Sequence, residues 1–130
     1  MTVLDTCIVM DRIRGKAEIR EDITVVTMVE FPPILRYSKF SGRVIYPVQG
    51  DYETAYKLQE NLRKIGKPKP FSDLLIASIC LNREEELVTS DEDFRDVSQV
   101  SKLKLKFIED LLCSVEAWQR LARELSVINL

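Results

Sequence analysis

The sequence predicts an α/β fold in which a central parallel, doubly wound sheet is covered by helices. Short runs of β-branched and apolar residues alternate with helical segments along the chain, which is the pattern of a parallel sheet. The clearest helix has a single apolar face, as a helix that packs on a sheet requires. The 130 residues contain no internal repeat and no low-complexity linker, so one domain is expected.

The first two strands are predicted from short apolar runs. Thr2–Leu4 is the first strand, and a helix over Cys7–Ile13 follows it and ends near Gly15. The run Ile23–Val26 is rich in β-branched residues and predicts the second strand.

A short helix and an extended segment come next. Thr27 and Glu30 have the spacing of a capping box, which predicts that a helix begins at Thr27. Pro32 and Pro33 lack a backbone N–H, so the helix is expected to restart or kink at this pair. Val44–Pro47 is predicted to be a short extended segment.

The helix over Asp51–Ile65 is the clearest in the sequence. Its apolar residues recur at spacings of three and four and define one face: Ala55, Leu58, Leu62 and Ile65. Asp51 can cap the start of this helix, and Gly66 can adopt the left-handed conformation at its end.

The same alternation continues beyond this helix. Ser72 is expected to cap a buried helix over Asp73–Asn82, and Glu86–Thr89 is the next strand. Residues 102–107 alternate lysine with apolar residues, which predicts an edge strand with its lysines in water.

Residues 111–130 are predicted to form a helical extension of the domain made by residues 1–110. Its apolar residues recur on one helix face: Leu111, Val115, Trp118, Ala122 and Leu125. This face is expected to pack either on the domain itself or on a second subunit.

Composition excludes several kinds of chemistry. The chain has no histidine, which removes Ser-His and Cys-His catalysis and histidine-containing zinc sites. Its 19 basic and 21 acidic residues nearly cancel, which excludes a strongly basic nucleic-acid coat. The three cysteines form no CxxC pair.

A cytoplasmic protein without a membrane segment is expected from the N-terminus and the cysteines. The first acid stands at position 5, which is not typical of a signal peptide, and no apolar run is long enough to span a bilayer. Cys7 and Cys80 lie in apolar runs and are expected to be buried, reduced thiols.

Acidic residues follow several of the predicted strands. Asp5 comes directly after the first strand, and Glu30 lies one helical turn past the second. Asp91 and Asp93 follow a later strand, and Asp73 begins the buried helix that leads into it. In a parallel sheet these positions converge at the carboxyl edge, where their charges repel one another. Mg²⁺ or Mn²⁺ relieves such repulsion and activates water for attack on a phosphodiester without histidine.

Each of these acids also has a structural interpretation. Asp5 can be a helix cap, Glu30 can close the capping box, and Asp73 can complement a helix dipole. Asp91 and Asp93 can be ordinary turn residues. The pattern alone leaves both interpretations open.

Four motifs resemble the successive motifs of the PIN-domain nucleases. They are, in order, Val3-Leu4-Asp5-Thr6, Val25-Val26-Thr27-Met28-Val29-Glu30, Asp73-Leu74-Leu75-Ile76-Ala77 and Leu87-Val88-Thr89-Ser90-Asp91-Glu92-Asp93-Phe94. The chain is most similar to the short VapC-type toxins of toxin–antitoxin pairs. This resemblance implies a PIN-like α/β/α sandwich.

The resemblance also implies an activity, a metal and partners. It implies a Mg²⁺-dependent endoribonuclease, usually dimeric, restrained by a VapB-like antitoxin, with Mn²⁺ as a possible replacement. The residues that match its catalytic acids are Asp5, Glu30, Asp73 and Asp91. The metal ligands are expected among Asp5, Asp73, Asp91 and Asp93. The supporting hydroxyls are expected from Thr6 and Thr89.

Asp91 and Asp93 are expected to differ in role. Asp91 lies nearer the end of its strand and so nearer the metal. If a helical turn begins at Ser90, Asp93 is its N3 residue, and its carboxylate is then mainly structural.

A basic cluster precedes Asp73 in the sequence: Arg63, Lys64, Lys67 and Lys69. These residues can hold an RNA backbone beside the metal site, or they can form a solvated helix end.

Three other functions fit part of the pattern. A housekeeping RNA-processing nuclease has the same fold and the same acids. A phospho-accepting receiver domain also gathers acids and Mg²⁺ at strand ends, but it needs paired acids after the first strand, where this chain has a lone Asp5. A PIN-like binding module without activity is the third, and the presence of all the acids argues against it.

Overall fold

Five short parallel strands form the centre of the part of the chain that the structure describes. The computed structural model describes residues 1–109 together with Arg120 and Arg123. Within this part the strands are β1 (Thr2–Leu4), β2 (Ile23–Thr24), β3 (Val44–Ile45), β4 (Glu86–Thr89) and β5 (Leu105–Phe107).

The strands are arranged in the order β3-β2-β1-β4-β5. β4 pairs in parallel with β1 and with β5, and β2 pairs in parallel with β3. A parallel bridge between Val3 and Asp22 joins the two groups, with Leu4 N donating to Asp22 O at 2.9 Å. The direction of winding therefore reverses between β1 and β4, and the carboxyl ends of these two strands flank the crevice in which such sheets bind ligands.

Helices cover both faces of the sheet. They are α1 (Thr6–Arg14), α2 (Val25–Glu30), a 3₁₀ helix (Pro32–Arg36), α3 (Gln49–Lys64), α4 (Phe71–Asn82) and α5 (Asp93–Gln99). Val3 and Leu87 pack on one side in a core shared with α3, α4 and α5, whereas Leu4 and Val88 pack on the other side with α1 and the 3₁₀ helix. The predicted α/β/α arrangement with a parallel, doubly wound sheet is confirmed.

The second strand and its helix differ from the prediction. β2 ends at Thr24, and α2 begins at Val25 rather than at Thr27, so the predicted capping box is wrong. Thr27 is buried inside the helix, and its hydroxyl contacts the Thr6 hydroxyl rather than a backbone N–H. The predicted restart at the proline pair is confirmed, since Pro32 begins the 3₁₀ helix.

Both long helices begin earlier than expected. α3 starts at Gln49, so Asp51 is not the N-cap but the third helical residue, and its Oδ2 accepts a hydrogen bond from Val48 N at 2.8 Å. α4 starts at Phe71 after Pro70, so Ser72 lies inside the helix and does not cap it. Proline fits before a helix because its fixed φ favours an extended entry.

The end of α3 confirms one expectation and corrects another. Gly66 adopts a positive φ of 74°, which is the left-handed conformation expected of a glycine after a helix. Ala55, Leu58 and Leu62 are buried as predicted, but Ile65 is 44% exposed because the helix ends at Lys64 and the chain turns away from the core.

Of the two predictions for the C-terminal part of the chain, only the one for the edge strand falls on described residues. β5 lies at the sheet edge, and the lysines around it are exposed as predicted: Lys102, Lys104 and Lys106. The helical extension over 111–130, with its face from Leu111 to Leu125, lies outside the described residues apart from Arg120 and Arg123. The division into a domain and an extension therefore stays a prediction.

The cysteines differ from one another. Cys80 is a buried free thiol, and burial raises its pKa above the ordinary value. Cys7 is disulfide-bonded, so the expected reduced thiol is wrong at this position. Sequence spacing cannot show which sulfur atoms meet in space. The expectation of reduced thiols was one of the reasons to predict a cytoplasmic protein, and it does not hold for Cys7. No helix in the described part of the chain is long and apolar enough to cross a membrane.

Candidate metal centre

Asp5 lies at the carboxyl end of β1, where the sheet changes its direction of winding. Its backbone N–H donates to Val88 O at 2.9 Å, which fixes it beside the end of β4. Its Oδ1 accepts from Thr6 N at 2.8 Å, and its Oδ2 accepts from the Thr89 hydroxyl at 2.7 Å. Asp5 is therefore both the N-cap of α1 and a member of the site, so the two interpretations of its role do not exclude each other.

Burial disfavours ionisation of the Asp5 carboxyl group. The residue is 7% exposed, and this burial raises its pKa from 3.8 to about 6. The hydrogen bonds from Thr89 and Thr6 oppose the rise, while the negative charges of Asp91 and Glu30 add to it.

Three further carboxylates converge in front of Asp5. Asp73 stands in the first turn of α4, Asp91 follows β4, and Asp93 begins α5. Each offers one oxygen to a group in which these oxygen atoms all lie within 4.8 Å of one another. Asp5 is not one of the three in this grouping, although it was expected among the metal ligands.

Asp73 experiences the repulsion of the whole group. Burial raises its pKa from 3.8 to about 7, with further contributions from the charges of Asp91, Asp5, Asp93 and Glu30. The four acids are therefore close enough to oppose the ionisation of Asp73, as the sequence pattern predicted. Hard carboxylate oxygens that repel one another form a donor set that fits Mg²⁺ or Mn²⁺.

A network of hydroxyls connects Glu30 to the site. The Thr6 hydroxyl donates to Glu30 Oε1 at 2.8 Å and lies 2.9 Å from the Thr27 hydroxyl. Since the single hydroxyl proton of Thr6 is directed to Glu30, Thr27 is the donor of the second bond. The sequence predicted Thr6 and Thr89 as supporting hydroxyls but missed Thr27, which it treated as a helix cap.

Lysine side chains enter the acidic site from the turn before α4. Lys69 Nζ lies 2.6 Å from Asp96 Oδ2 and 3.2 Å from Asp93 Oδ1, and its side chain is 9% exposed. The hydrogen bonds that it donates to Asp96 and Asp93 raise its pKa against the opposing effect of burial. Lys67 reaches Asp96 at 3.2 Å. Nothing in the sequence pattern had marked Asp96, which together with Asp93 neutralises Lys69.

The four residues of the predicted basic cluster therefore lie in two settings. Lys69 is engaged by carboxylates, whereas Arg63 and Lys64 are exposed at the end of α3, and Lys67 is half exposed. RNA binding by this cluster stays a prediction, and Arg63 and Lys64 are its most accessible members.

The expected division of roles between Asp91 and Asp93 is corrected in its structural part. α5 begins at Asp93 and not at Ser90, so Asp93 is not an N3 cap. Asp91 is the residue that orders the turn, because its Oδ1 accepts from Asp93 N at 2.9 Å while its own N–H donates to the Thr89 hydroxyl at 3.0 Å. Both carboxylates belong to the group with Asp73.

Two substitutions at Asp91 are expected to separate its metal role from its structural role. Asp91→Asn removes the negative charge and should weaken divalent-cation binding. Because it keeps an oxygen that accepts from Asp93 N, it should cause little loss of stability. Asp91→Ala loses both, and the lost hydrogen bond from Asp93 N should lower the free energy of unfolding by about 0.5–1.5 kcal/mol. Mn²⁺ titrations and urea unfolding of both variants measure this difference. Equal stability of the two variants would contradict the structural role.

The stability of the metal-free protein is expected to fall as the pH rises from about 4 to 7. A carboxyl group whose pKa is higher in the folded state than in the unfolded chain binds its proton more tightly when folded, so folding weakens as that proton is lost. For Asp5, a pKa raised from 3.8 to about 6 corresponds to roughly 3 kcal/mol across this window.

Melting curves in EDTA and in Mg²⁺, at pH 5 and pH 7.5, measure this dependence. The melting temperature in EDTA should be higher at pH 5, and Mg²⁺ should raise it more at pH 7.5, where the carboxylates are ionised. A metal-free protein that is more stable at pH 7.5 than at pH 5 would contradict the prediction.

Comparison with solved structures reveals the same fold in toxin–antitoxin complexes. The chain matches a chain of VapBC2 from Rickettsia felis bound to a promoter DNA fragment, with a TM-score of 0.64 and 17% identity over 83% of this chain and 98% of that one. It matches DNA-bound VapBC from Salmonella typhimurium with a TM-score of 0.65 and 17% identity, over 82% of this chain and 96% of that one. The match to VapBC-5 from Mycobacterium tuberculosis has a TM-score of 0.65 and 18% identity, and it covers 82% of this chain and 98% of that one.

No protein-family model and no curated protein matches the chain. At these identities the likeness to solved structures shows the fold. It confirms that the chain has the architecture found in VapBC complexes, which the four sequence motifs predicted.

Proposed function

We propose that this protein is a divalent-cation-dependent endoribonuclease and the VapC-type toxin of a toxin–antitoxin pair. The observation that carries the proposal is the group formed by Asp73, Asp91 and Asp93 in front of the buried Asp5, at the carboxyl edge of a sheet with the fold of VapBC complexes. RNA as the substrate implies that it acts in the cytoplasm.

The acids divide into those that hold the cation and those that support them. Asp73, Asp91 and Asp93 would bind Mg²⁺ or Mn²⁺, with Asp5 completing the negative charge behind them. A cation held by these residues would lower the pKa of water and offset the charge of a phosphodiester. Thr89 and the Thr6 N–H keep the Asp5 carboxylate in one orientation, so its charge stays directed at the site.

Glu30 is the acid best placed to take a proton from the attacking water. It is exposed at the end of α2, and the Thr6 hydroxyl fixes its Oε1 at 2.8 Å. Thr27 supports Thr6 in turn, so two hydroxyls, one from α1 and one from α2, orient this carboxylate. The same carboxylate is a candidate ligand for a second cation.

Partners follow from the same comparison. The three structures described above are VapBC structures, two of them with DNA. We extend this to a VapB-like antitoxin for the present chain and to a homodimer as its oligomeric state. Arg63 and Lys64 are exposed at the end of α3 and are the proposed contacts to the RNA backbone.

The receiver-domain alternative is disfavoured by the sheet order. Receiver-type domains have the order 2-1-3-4-5, whereas this sheet runs β3-β2-β1-β4-β5.

Incubation of the purified protein with total RNA tests the proposal. Discrete RNA fragments are expected with Mg²⁺ and not with EDTA, and mapping of their ends would identify the cut sites. Co-purification with the product of a small adjacent gene, together with loss of cleavage in that complex, is expected for a toxin. Intact RNA over a range of Mg²⁺ and Mn²⁺ concentrations would contradict the nuclease function.

A further inference from the structure

A cavity of about 470 Å³ opens at the opposite edge of the sheet from the carboxylate site. It lies between α3, the end of α4, the turn before β4 and the segment that enters β5. Glu85 in this cavity precedes β4, whereas Asp91 follows that strand, so the strand separates the two sites. The volume is within the range of small-molecule sites, roughly 300–1,000 Å³.

Glu85 is the unusual residue of this cavity. It is only 8% exposed, and its Oε2 has no hydrogen-bond partner among the described residues. The end of α4 places it there, because Glu84 N donates to Leu81 O and Glu85 N donates to Cys80 O, with Glu84 at a φ of 53°. A buried carboxylate oxygen without a donor is unfavourable, and an N–H group of a ligand would satisfy it if the Glu85 side chain turned toward the cavity.

The rim of the cavity carries more positive than negative charge, with three lysines and one exposed acid, Glu84. Three exposed lysines line it, and none forms an ion pair within the part of the chain that the structure describes: Lys57, Lys102 and Lys104. An anionic group on the ligand would form ion pairs with these lysines. The ligand therefore needs N–H donors at one end and negative charge at the other.

The walls between these two ends are partly apolar. Leu58 and Leu81 contribute apolar surface, and Asn61 supplies an amide that makes no hydrogen bond within the described residues. An aromatic base between such walls, with an amide at its edge, is the usual composition of a ligand pocket.

We propose that this cavity binds a guanine nucleotide, with the base directed to Glu85 and the phosphates to the lysines on the rim. Guanine presents two adjacent donors, N1–H and the 2-amino group, which match the two oxygens of a carboxylate. The terminal torsion of glutamate is soft, so both Glu85 oxygens can turn to this edge. Adenine offers a single donor group beside an acceptor, which a carboxylate repels, so the site discriminates between the two purines.

Calorimetric titration of the full-length protein tests the proposal, with GTP, ATP and inorganic tripolyphosphate as the probes. EDTA is present throughout, so that nucleotide phosphates cannot bind through a cation at the acidic site. GTP is expected to bind at least tenfold more tightly than ATP or tripolyphosphate. No saturable GTP binding at millimolar concentration, or equal affinity for all three, would overturn the proposal.

Substitutions then locate the binding. Glu85→Gln should weaken GTP at least tenfold and remove the preference over ATP, while the matched variant Glu86→Gln, at the neighbouring position, should bind as the native protein does. The double variant Lys102→Ala/Lys104→Ala should lower the affinity for GTP and also reduce the dependence of this affinity on salt concentration. It changes only exposed residues, so it decides the question if Glu85→Gln does not fold. Unchanged GTP affinity in folded Glu85→Gln, or in the double lysine variant, would overturn the assignment.

Discussion

Asp73→Asn is expected to abolish divalent-cation-dependent RNA cleavage while the fold is retained. Asp73 is one of the three carboxylates whose oxygens lie within 4.8 Å of one another, and the other acids raise its pKa further after burial has done so. The amide preserves the shape of the side chain but not its charge. Residues that merely support metal ligands are worth roughly 10–100-fold, so loss of a ligand should lower the cleavage rate by on the order of 100-fold or more.

The same substitution should stabilise the metal-free protein. At pH 7.5 it removes a negative charge that its neighbours oppose, and each kcal/mol gained would raise the melting temperature by roughly 3–5 °C for a domain of this size. Asp11→Asn, at an exposed position of α1, is the matched control and should change neither property. Retained cleavage in Asp73→Asn, or cleavage lost only through unfolding, would contradict the assignment.

Asp51→Ala is expected to cause the largest loss of stability among single substitutions of charged residues. Asp51 is fully buried and joins the start of α3 to the end of α4. It accepts hydrogen bonds from Val48 N and Asn82 Nδ2, each at 2.8 Å, and from two nitrogens of Arg83 at 3.0 and 3.1 Å. Removal of one partner of such a pair leaves the others unsatisfied, at a cost of about 3 kcal/mol.

Urea unfolding at pH 7 measures this loss. Asp51→Asn, which keeps one acceptor oxygen, should fall between the native protein and Asp51→Ala, and Glu53→Ala on the exposed side of the same helix should be nearly neutral. Burial favours the neutral Asp51 carboxyl, but the hydrogen bonds from Arg83 and Val48 outweigh it and hold the pKa below 3.8. The contribution should therefore be present above about pH 4 and disappear as the pH falls further. A loss below about 1 kcal/mol would contradict the buried-pair account.

The strands and the acids that follow them could be predicted because both signals are local. Thr2–Leu4 and Glu86–Thr89 have the bounds that their apolar runs predicted. Parallel pairing then brings their carboxyl ends together, so Asp5 and Asp91 converge without any knowledge of the remaining contacts. The resemblance to PIN-domain motifs named the same acids independently.

The helix starts could not be predicted from capping residues alone. Thr27, Asp51 and Ser72 all carry side chains that favour a helix start, yet each helix begins two or one residues earlier. The Thr27 hydroxyl is hydrogen-bonded to the hydroxyl of Thr6, which is 21 positions away in the sequence. Capping preference is worth only about 1 kcal/mol, so a tertiary contact easily overrides it.

Contacts between distant charged residues were also beyond the sequence. Lys69 was expected in a cluster for RNA, but the turn before α4 brings it to Asp93 and Asp96, 24 and 27 positions away. The disulfide of Cys7 belongs to the same class of contact. Such pairs depend on how the elements pack, and no local pattern encodes them.

Titration of the metal-free protein with Mn²⁺, followed by electron paramagnetic resonance, tests the central claim most directly. The native protein should bind Mn²⁺ stoichiometrically at pH 7.5, Mg²⁺ should displace it, and binding should weaken at pH 5 as Asp5 and Asp73 are protonated. Asp73→Asn should bind far more weakly, and Asp11→Asn should bind as the native protein does. Absence of Mn²⁺ binding in the native protein, or equal binding in Asp73→Asn, would contradict the metal centre.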